Sequence, residues 1–392
     1  MKDLQSNFSP LGTLSPSVTL SLAARAKELK KQGLDVYSMS VGEPDFDTPQ
    51  AIKDAGIKAI NEGKVRYIAS SGLPELKDEI VKKMAAKGVS ATADNIIVST
   101  GAKFALFEAI TALCGAGDEV IIFAPYWLSY PEMIKASGAK TVTVNTKAEN
   151  DFAPTRDDLE KAITEHTKLI IVNSPNNPTG AVYSEETLRM IADVAIKHNI
   201  MVLSDEIYEK LVYDDKVNPI SMASLGSRIA ELTITVNGFS KAYAMTGWRL
   251  GYLAAPHWLI KRIAALQSHA TSNATTFVQY AAISALQGKA DADVKNMVDT
   301  FAKRRILLCQ LLKEIPQITF IEPKGAFYVM CNISQTGKTA ADFAQELLER
   351  KLLTVVPCEA FGAPGYIRLS YACSEEQIKE AIRRLKEFCA EI

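Results

Sequence analysis

Seven short runs rich in β-branched and other apolar residues recur between residues 95 and 255: NIIVST (95–100), DEVIIFA (118–124), KTVTVNT (140–146), KLIIVNS (168–174), IMVLSDE (200–206), ELTITVNG (231–238) and WRLGYLAA (248–255). Runs of this length with few polar interruptions fit strands covered on both faces. Segments of helical period separate many of them. In SEETLRMIADVAIKHN (184–199), Ser184 sits in the N-cap place and acids fill the first turn. Leu188, Ile191, Ala192 and Ala195 form one apolar stripe. Strand–helix alternation over this length predicts an α/β fold, a mainly parallel sheet sandwiched by helices.

The pattern changes after about residue 285. A long charged helical stretch (290–314) leads to ITFIEPKGAFYVMCNI (318–333), a second helix TAADFAQELLERK (339–351), and then LLTVVPCEAF and YIRLSYA. The last segment begins SEEQ, where Ser374 and Gln377 have capping-box spacing. This order predicts a smaller α+β domain. Upstream, DVYSMSVGEP (35–44) reads as a strand with no βαβ partner, and it is expected to pack with that smaller domain. The expected division is 1–47 as an N-terminal arm and part of the small domain, 48–285 as the large domain and 286–392 as the small C-terminal domain.

Composition narrows the function. The 392 residues carry 44 Lys and Arg against 45 Asp and Glu, so the net charge is −1 and no basic stripe invites nucleic acid. No apolar run approaches the roughly 20 residues that a membrane helix needs. The first residues lack the apolar core of a signal peptide. The six cysteines are scattered without a CxxC pair, which argues for a reducing cytoplasm and against a zinc site. No metal site is expected. No GxxxxGK[ST] or GxSxG occurs, and GAGDEV (115–120) lacks the third glycine of a dinucleotide fingerprint.

One stretch asks for chemistry. SKAYAMTGWRLGYLAA (240–255) places Lys241 and Arg249 among small and apolar residues. An apolar setting disfavours the ammonium and frees the amine, which can condense with an aldehyde. A guanidinium nearby suits a phosphate. Pyridoxal 5'-phosphate combines the two groups. Such a cofactor also needs a carboxylate for its ring nitrogen, a donor for its ring oxygen and a helix start for its phosphate. Asp205 and Tyr208 in LSDEIY, Asn177 in NSPNNPTG, and the turn Thr100-Gly101-Ala102 in STGAKFALFEAI are the candidates. All stand at carboxyl ends of predicted strands, where open α/β sheets bind ligands. Each alone has an ordinary reading. Lys241 and Arg368 fit a solvated surface, Asn177 a turn, Trp127 and Tyr208 a core, and Glu206 a cap or ion-pair partner.

Taken together, NSPNNPTGAVY, SDEIYE, NGFSKAYAMTGWRLGY, PYWLSYPEM and YIRLSYA resemble the aspartate aminotransferase family, and GEPDFDTP (42–49) is similar to its bacterial branch. The resemblance runs from about residue 15 to the end. It implies the fold type I architecture of pyridoxal phosphate enzymes and a homodimer with shared active sites. By resemblance, Lys241 is the Schiff-base lysine and proton shuttle. Asp205 pairs with the ring nitrogen, Asn177 and Tyr208 bond the ring oxygen, and Trp127 stacks on the ring. Arg249 and the turn at Gly101, with the amides of Ala102 and Lys103, hold the phosphate, and Tyr67 reaches the phosphate of the neighbouring subunit. Arg368 clamps the substrate α-carboxylate, while Gly42 approaches it through its backbone.

Lys103 bears on the substrate. It is expected near the third residue of a helix capped by Thr100, where a cation opposes the helix dipole unless an anion lies close. The resemblance links a lysine here to acidic substrates. Ser15, before Pro16-Ser17, supplies no cation, whereas branch members that use prephenate tend to carry one there. The expected activity is cytoplasmic transfer of the amino group of L-aspartate to 2-oxoglutarate by a ping-pong route, with amino acids and 2-oxo acids as the small-molecule partners. Aromatic, broad-range or prephenate aminotransferases and a β-eliminating lyase are the alternatives.

Overall fold

The computed structural model describes residues 14, 18–213, 217 and 219–392; Ser15 lies outside them. Its strands, in chain order, are β1 (Tyr37–Ser38), β2 (Ile96–Ser99), β3 (Glu119–Ala124), β4 (Lys140–Asn145), β5 (Thr167–Asn173), β6 (Met201–Asp205), β7 (Thr233–Gly238) and β8 (Gly251–Ala254). These are followed by β9 (Thr319–Phe320), β10 (Tyr328–Asn332), β11 (Leu353–Thr354), β12 (Val356–Pro357) and β13 (Tyr366–Ser370).

Strands β2 to β8 form one seven-stranded sheet in the order β2-β8-β7-β6-β5-β3-β4. Only β8 runs antiparallel to its neighbours. The carboxyl ends of the other six therefore share one edge. Every residue of β3, β6 and β7 is buried, as the unbroken apolar runs require. Strand β4 closes one side of the sheet, and its mix of Lys140, threonines and Asn145 leaves it largely exposed. Helices cover the faces. In Glu185–His198, the Ser184 hydroxyl caps the Thr187 amide at 3.1 Å, and the stripe at Leu188, Ile191, Ala192 and Ala195 is buried.

A four-stranded sheet, order β12-β13-β10-β9, is antiparallel throughout. Strand β1 pairs in parallel with β11, so the segment before the main sheet does join the chain's last third. The closing helix Glu375–Ala390 carries the full capping box between Ser374 and Gln377. Strand β8 is shorter than the apolar run 248–255. Thr246–Trp248 form a short 3-10 turn, and Arg249 takes a left-handed conformation, φ 53°. That turn delivers the arginine to the carboxyl edge. Gly251, the first residue of β8, is indispensable there: a Cβ would collide with the Ala102 amide nitrogen and lie 2.6 Å from the Gly101 carbonyl carbon.

Candidate active site

The carboxyl edge of the main sheet opens into a cavity of about 620 Å³ that also touches β10 and β13. Gly42, Ala102, Lys103, Trp127, Asn177, Asp205, Tyr208, Lys241, Arg249 and Arg368 all line it. Residues spread over more than 300 positions of chain thus converge because one sheet edge collects the turns after β2, β3, β5, β6 and β7, and β13 closes from the other side.

Asp205 ends β6 and is 3% exposed. Its carboxylate accepts the Tyr130 hydroxyl at 2.6 Å and the Ile207 amide at 3.2 Å. Burial pushes its pKa up to about 6, against these two donors and the charge of Lys241. Glu206 next to it points elsewhere. Among the described residues it caps no helix and forms no ion pair, but accepts the hydroxyls of Ser204 and Ser221 at 3.0 and 2.8 Å, and burial lifts it to about 7 against the charge of Lys87.

Lys241 follows β7, and its ammonium meets the Gly42 carbonyl. Burial depresses its pKa to about 8; Glu43 opposes this, while Arg368, Arg249 and Lys103 add to it. The side chain therefore gives up its proton far nearer neutral pH than an ordinary lysine, and the free amine is the form that captures a carbonyl.

Arg368 is 3% exposed and is no surface residue, because β13 is an interior strand of its sheet. Its guanidinium donates to Asn177 Oδ1 at 2.9 Å and to the Ser40 carbonyl at 3.1 Å, and lies 4.3 Å from the centre of the Tyr328 ring. Its Nε has no partner, and no carboxylate pairs with it among the described residues. A buried cation satisfied only by neutral acceptors is a site waiting for an anion. Asn177 is itself fixed by Asn173, whose Oδ1 accepts the Asn177 amide at 2.9 Å and whose Nδ2 donates to the Asp205 carbonyl at 3.0 Å.

The helix Ala102–Leu113 starts differently from the expectation. Gly101, not Thr100, is the N-cap, with φ 84° and no side-chain cap, so Lys103 is the second residue of the helix. A side chain at Gly101 would strike Arg249 Nη2 at 2.5 Å, so glycine is needed both for the backbone and for the arginine that passes over it. Arg249 is held by the Thr246 carbonyl at 2.8 Å. An uncapped helix start beside a guanidinium is an anion cradle. The Lys103 amine lies 5.0 Å from the centre of the Trp127 ring. Burial and the nearby Arg249 lower its pKa.

The family model for aminotransferase class I and II matches residues 35–385. The chain belongs to this family. It is 45% identical to a probable aspartate/prephenate aminotransferase of Aquifex aeolicus, with 97% of each chain covered. It is 43% identical to an aspartate aminotransferase of Bacillus subtilis, over 96% of this chain and 97% of that one. Among solved structures, the aspartate aminotransferase of Thermus thermophilus with maleate superposes with a TM-score of 0.94 at 40% identity, covering 97% of this chain and 99% of that one.

Aminotransferases of this class depend on pyridoxal phosphate, and the fold type I architecture read from the sequence holds. The residues present fit that cofactor: a buried carboxylate, a lysine of lowered basicity, and an arginine over an uncapped helix start surround one cavity. Tyr67 does not line it, standing 87% exposed on the surface.

Sequence reasoning missed contributors that include Tyr130, Tyr328, Asn173, Ser40 and Glu43. Tyr130 lies within the quoted run PYWLSYPEM, three residues beyond Trp127, and its hydroxyl is the short donor to Asp205. Tyr328 could have been found from alternation. It pairs with Ser370 as Met330 pairs with Arg368, which puts its side chain on the same sheet face as the arginine. Ser40 acts only through its carbonyl, which sequence does not mark. Glu43 accepts the Thr246 hydroxyl at 2.7 Å at the cavity wall.

Proposed function

We propose that this chain is an aspartate aminotransferase that moves the amino group of L-aspartate to 2-oxoglutarate, giving oxaloacetate and L-glutamate in ping-pong fashion. The observation that carries the reading is Arg368, a buried guanidinium in the same cavity as Lys241 with no acidic partner among the described residues. An α-carboxylate bound there brings the attached amine and Cα into the cavity. Lys103, a second cation on the wall, suits the other carboxylate of a dicarboxylic substrate. The names of the Aquifex, Bacillus and Thermus relatives support the same substrate class.

Lys241 would hold the cofactor covalently, Asp205 its ring nitrogen, Asn177 and Tyr208 its ring oxygen, and Trp127 its ring face. Arg249, Gly101 and the amides of Ala102 and Lys103 would hold its phosphate. When bound, pyridoxal phosphate supplies the electron sink for the Cα–H bond that breaks. The buried Asp205 carboxylate is destabilised as an anion, so a protonated ring nitrogen placed against it meets a counter-charge that solvent does not screen. Lys241 would be the base that takes the Cα proton and the acid that delivers it to C4'. Its pKa near 8 leaves it able to do both. Gly42 keeps its carbonyl toward Lys241 and borders the carboxylate end of the cavity.

The proposal includes the division into 48–285 and 286–392 with residues 1–47. The separate seven- and four-stranded sheets, and the pairing of β1 with β11, support it. It also includes a homodimer in which the exposed Tyr67 serves the neighbouring subunit's phosphate, and a cytoplasmic setting. Among the described residues no helix is long and apolar enough to cross a membrane. The test is a single-turnover reaction of cofactor-loaded protein with L-aspartate, with oxaloacetate measured. Pyruvate appearing without a 2-oxo acid acceptor would instead mark a β-eliminating lyase. Parallel assays with tyrosine and prephenate separate a broad-range enzyme.

A further inference from the structure

We propose that Gln267 and Thr276 are positioning residues that fix the segment 66–73 so that Tyr67 reaches the cofactor phosphate of a second copy of this chain; this rests on the functional reading above. The segment runs between the helices Gln50–Asn61 and Pro74–Ala85 and is neither helix nor strand. Its backbone groups therefore need partners from elsewhere. Buried side chains of two later helices, His257–Ala270 and Thr276–Leu286, supply them. The Thr276 hydroxyl donates to the Arg66 carbonyl at 2.8 Å, and the Gln279 side-chain oxygen accepts the Leu73 amide at 2.9 Å. The Gln267 amide donates to the Ser70 carbonyl and, at 3.0 Å, to the Val98 carbonyl. Val98 belongs to β2, an end strand of the main sheet, and its own amide donates to the Ser71 carbonyl at 3.0 Å. The segment thus lies along the open edge of β2, and Gln267 bridges the two.

These bonds bracket Tyr67: Arg66 just before it and Ser70 shortly after it are both held. The Tyr67 side chain itself stands clear of its own subunit, as does Val65 at 57% exposed. An exposed aromatic on a pinned backbone is ordered before it meets its target, which lowers the cost of binding. Gln267 is fully buried, yet its side-chain oxygen has no partner among the described residues. Turning the amide over would set that oxygen against two carbonyls, so its two N–H donors fix the orientation. An apolar side chain would fill the space without an orphaned oxygen, and what the amide adds is this pair of bonds. Without them Ser70 is released from the sheet edge and the Tyr67 backbone is held from one side only. The phosphate bound by the partner subunit then loses a well-placed donor, while the cofactor ring, held by that subunit's own residues, loses nothing.

The experiment measures binding of pyridoxamine 5'-phosphate, which forms no covalent link, and of phosphate-free pyridoxamine to the full chain freed of cofactor. Gln267→Ala is expected to weaken the phosphorylated probe about tenfold, the lower end for a hydrogen bond to a charged group, and to leave pyridoxamine unchanged. Tyr67→Phe should show the same selectivity at equal or greater size, and Gln267→Ala added to it should cost nothing further. Hybrid dimers then locate the effect. In a dimer of one Gln267→Ala chain and one Lys241→Ala chain, added pyridoxal 5'-phosphate gives the band of Lys241-linked cofactor only at the site of the Gln267→Ala chain. The firmly held Tyr67 of the other chain serves that site, so its affinity should match the unaltered protein. With both substitutions in one chain and none in the other, the linked site should be about tenfold weaker. Equal losses for the two probes, additivity with Tyr67→Phe, or a loss that persists in the first hybrid would each overturn the proposal, the last by showing that Gln267 acts through β2 on its own site. Should Gln267→Ala not fold, Thr276→Val, which keeps the shape and removes the hydroxyl, takes its place in every assay with the same expected pattern and the same refuting results. A loss in Tyr67→Phe with none in Gln267→Ala rejects the positioning role alone, whereas no loss in Tyr67→Phe rejects the reading of Tyr67 itself.

Discussion

Lys103→Ala tests whether Lys103 and Arg368 divide the two carboxylates of a dicarboxylic substrate. Lys103 is the second residue of the helix Ala102–Leu113, on the exposed side of the cavity wall, with its amine 5.0 Å from the Trp127 ring centre. No carboxylate pairs with it among the described residues. A hydrogen bond between two ions is worth about 1.5–3 kcal/mol, which is roughly 10- to 150-fold in affinity. Water reaches Lys103, so screening holds its contribution to the lower end, about tenfold. The contact with Trp127 exists whether or not substrate is bound, so its loss falls on every donor alike. Measured at saturating cofactor, kcat/KM of Lys103→Ala should drop about tenfold for aspartate and glutamate and stay within about twofold for phenylalanine. Arg368→Ala should depress all donors, and more strongly, because its guanidinium is buried and the α-carboxylate is common to them. Equal losses for aspartate and phenylalanine in Lys103→Ala would refute the division and reduce Lys103 to a support of the phosphate cradle.

Lys241→Ala should abolish transamination and leave cofactor bound only without a covalent link; borohydride reduction and peptide mapping of the unaltered protein should place the cofactor on Lys241 and on no other lysine. Because burial brings the Lys241 pKa down from 10.5 to about 8, capture of added cofactor by the apoprotein should quicken as pH rises through about 8, and a midpoint near 10 in stopped-flow absorbance would contradict the depressed value. Asp205→Ala should lower kcat far more than cofactor affinity, since the carboxylate keeps the ring nitrogen protonated and so stabilises the charge that develops as the Cα proton leaves; full rate restored by excess cofactor would make it merely structural. Glu209, 3% exposed at its side chain and clasped by Lys83 and Lys87, has a folded pKa of about 2: burial raises it, but the two ammonium charges outweigh burial. Its contribution is therefore present above the usual carboxylate value of 4.5 and lost as pH falls toward 2. Glu209→Gln should cost about 3–5 kcal/mol in denaturant unfolding at pH 7, because Lys83 is left buried and unpaired, with the gap narrowing below pH 4; a gap independent of pH would exclude the ion pairs as its source.

The main sheet was legible because its inner strands are buried on both faces, and unbroken apolar runs mark that condition directly. Its one antiparallel strand was not, since β8 has the same texture as its parallel neighbours and only the pairing register reveals its direction. Lys241, Asp205, Asn177 and Arg249 could be read because each sits in a short run whose residue types suit a specific chemistry. The helix cap at Gly101 was missed because Thr100 satisfies the usual capping preference, whereas here the helix start stays uncapped and Arg249 needs the space. The burial of Arg368 was open in sequence for a different reason. A strand of alternating character reads the same at a sheet edge and in its interior, and only the placement of β13 between β12 and β10 resolves it. Tyr328 and Tyr130 resemble core aromatics, and their hydroxyl partners lie 120 and 75 residues away in sequence.

The most direct test of the central claim is the absorbance of purified, cofactor-loaded protein before and after L-aspartate is added without any 2-oxo acid. The account predicts that the band of the Lys241-linked cofactor is lost, that one oxaloacetate appears per site, and that 2-oxoglutarate then restores the band with release of L-glutamate. A band unchanged by L-aspartate, or one lost with continuous release of product and no need of an acceptor, would contradict it.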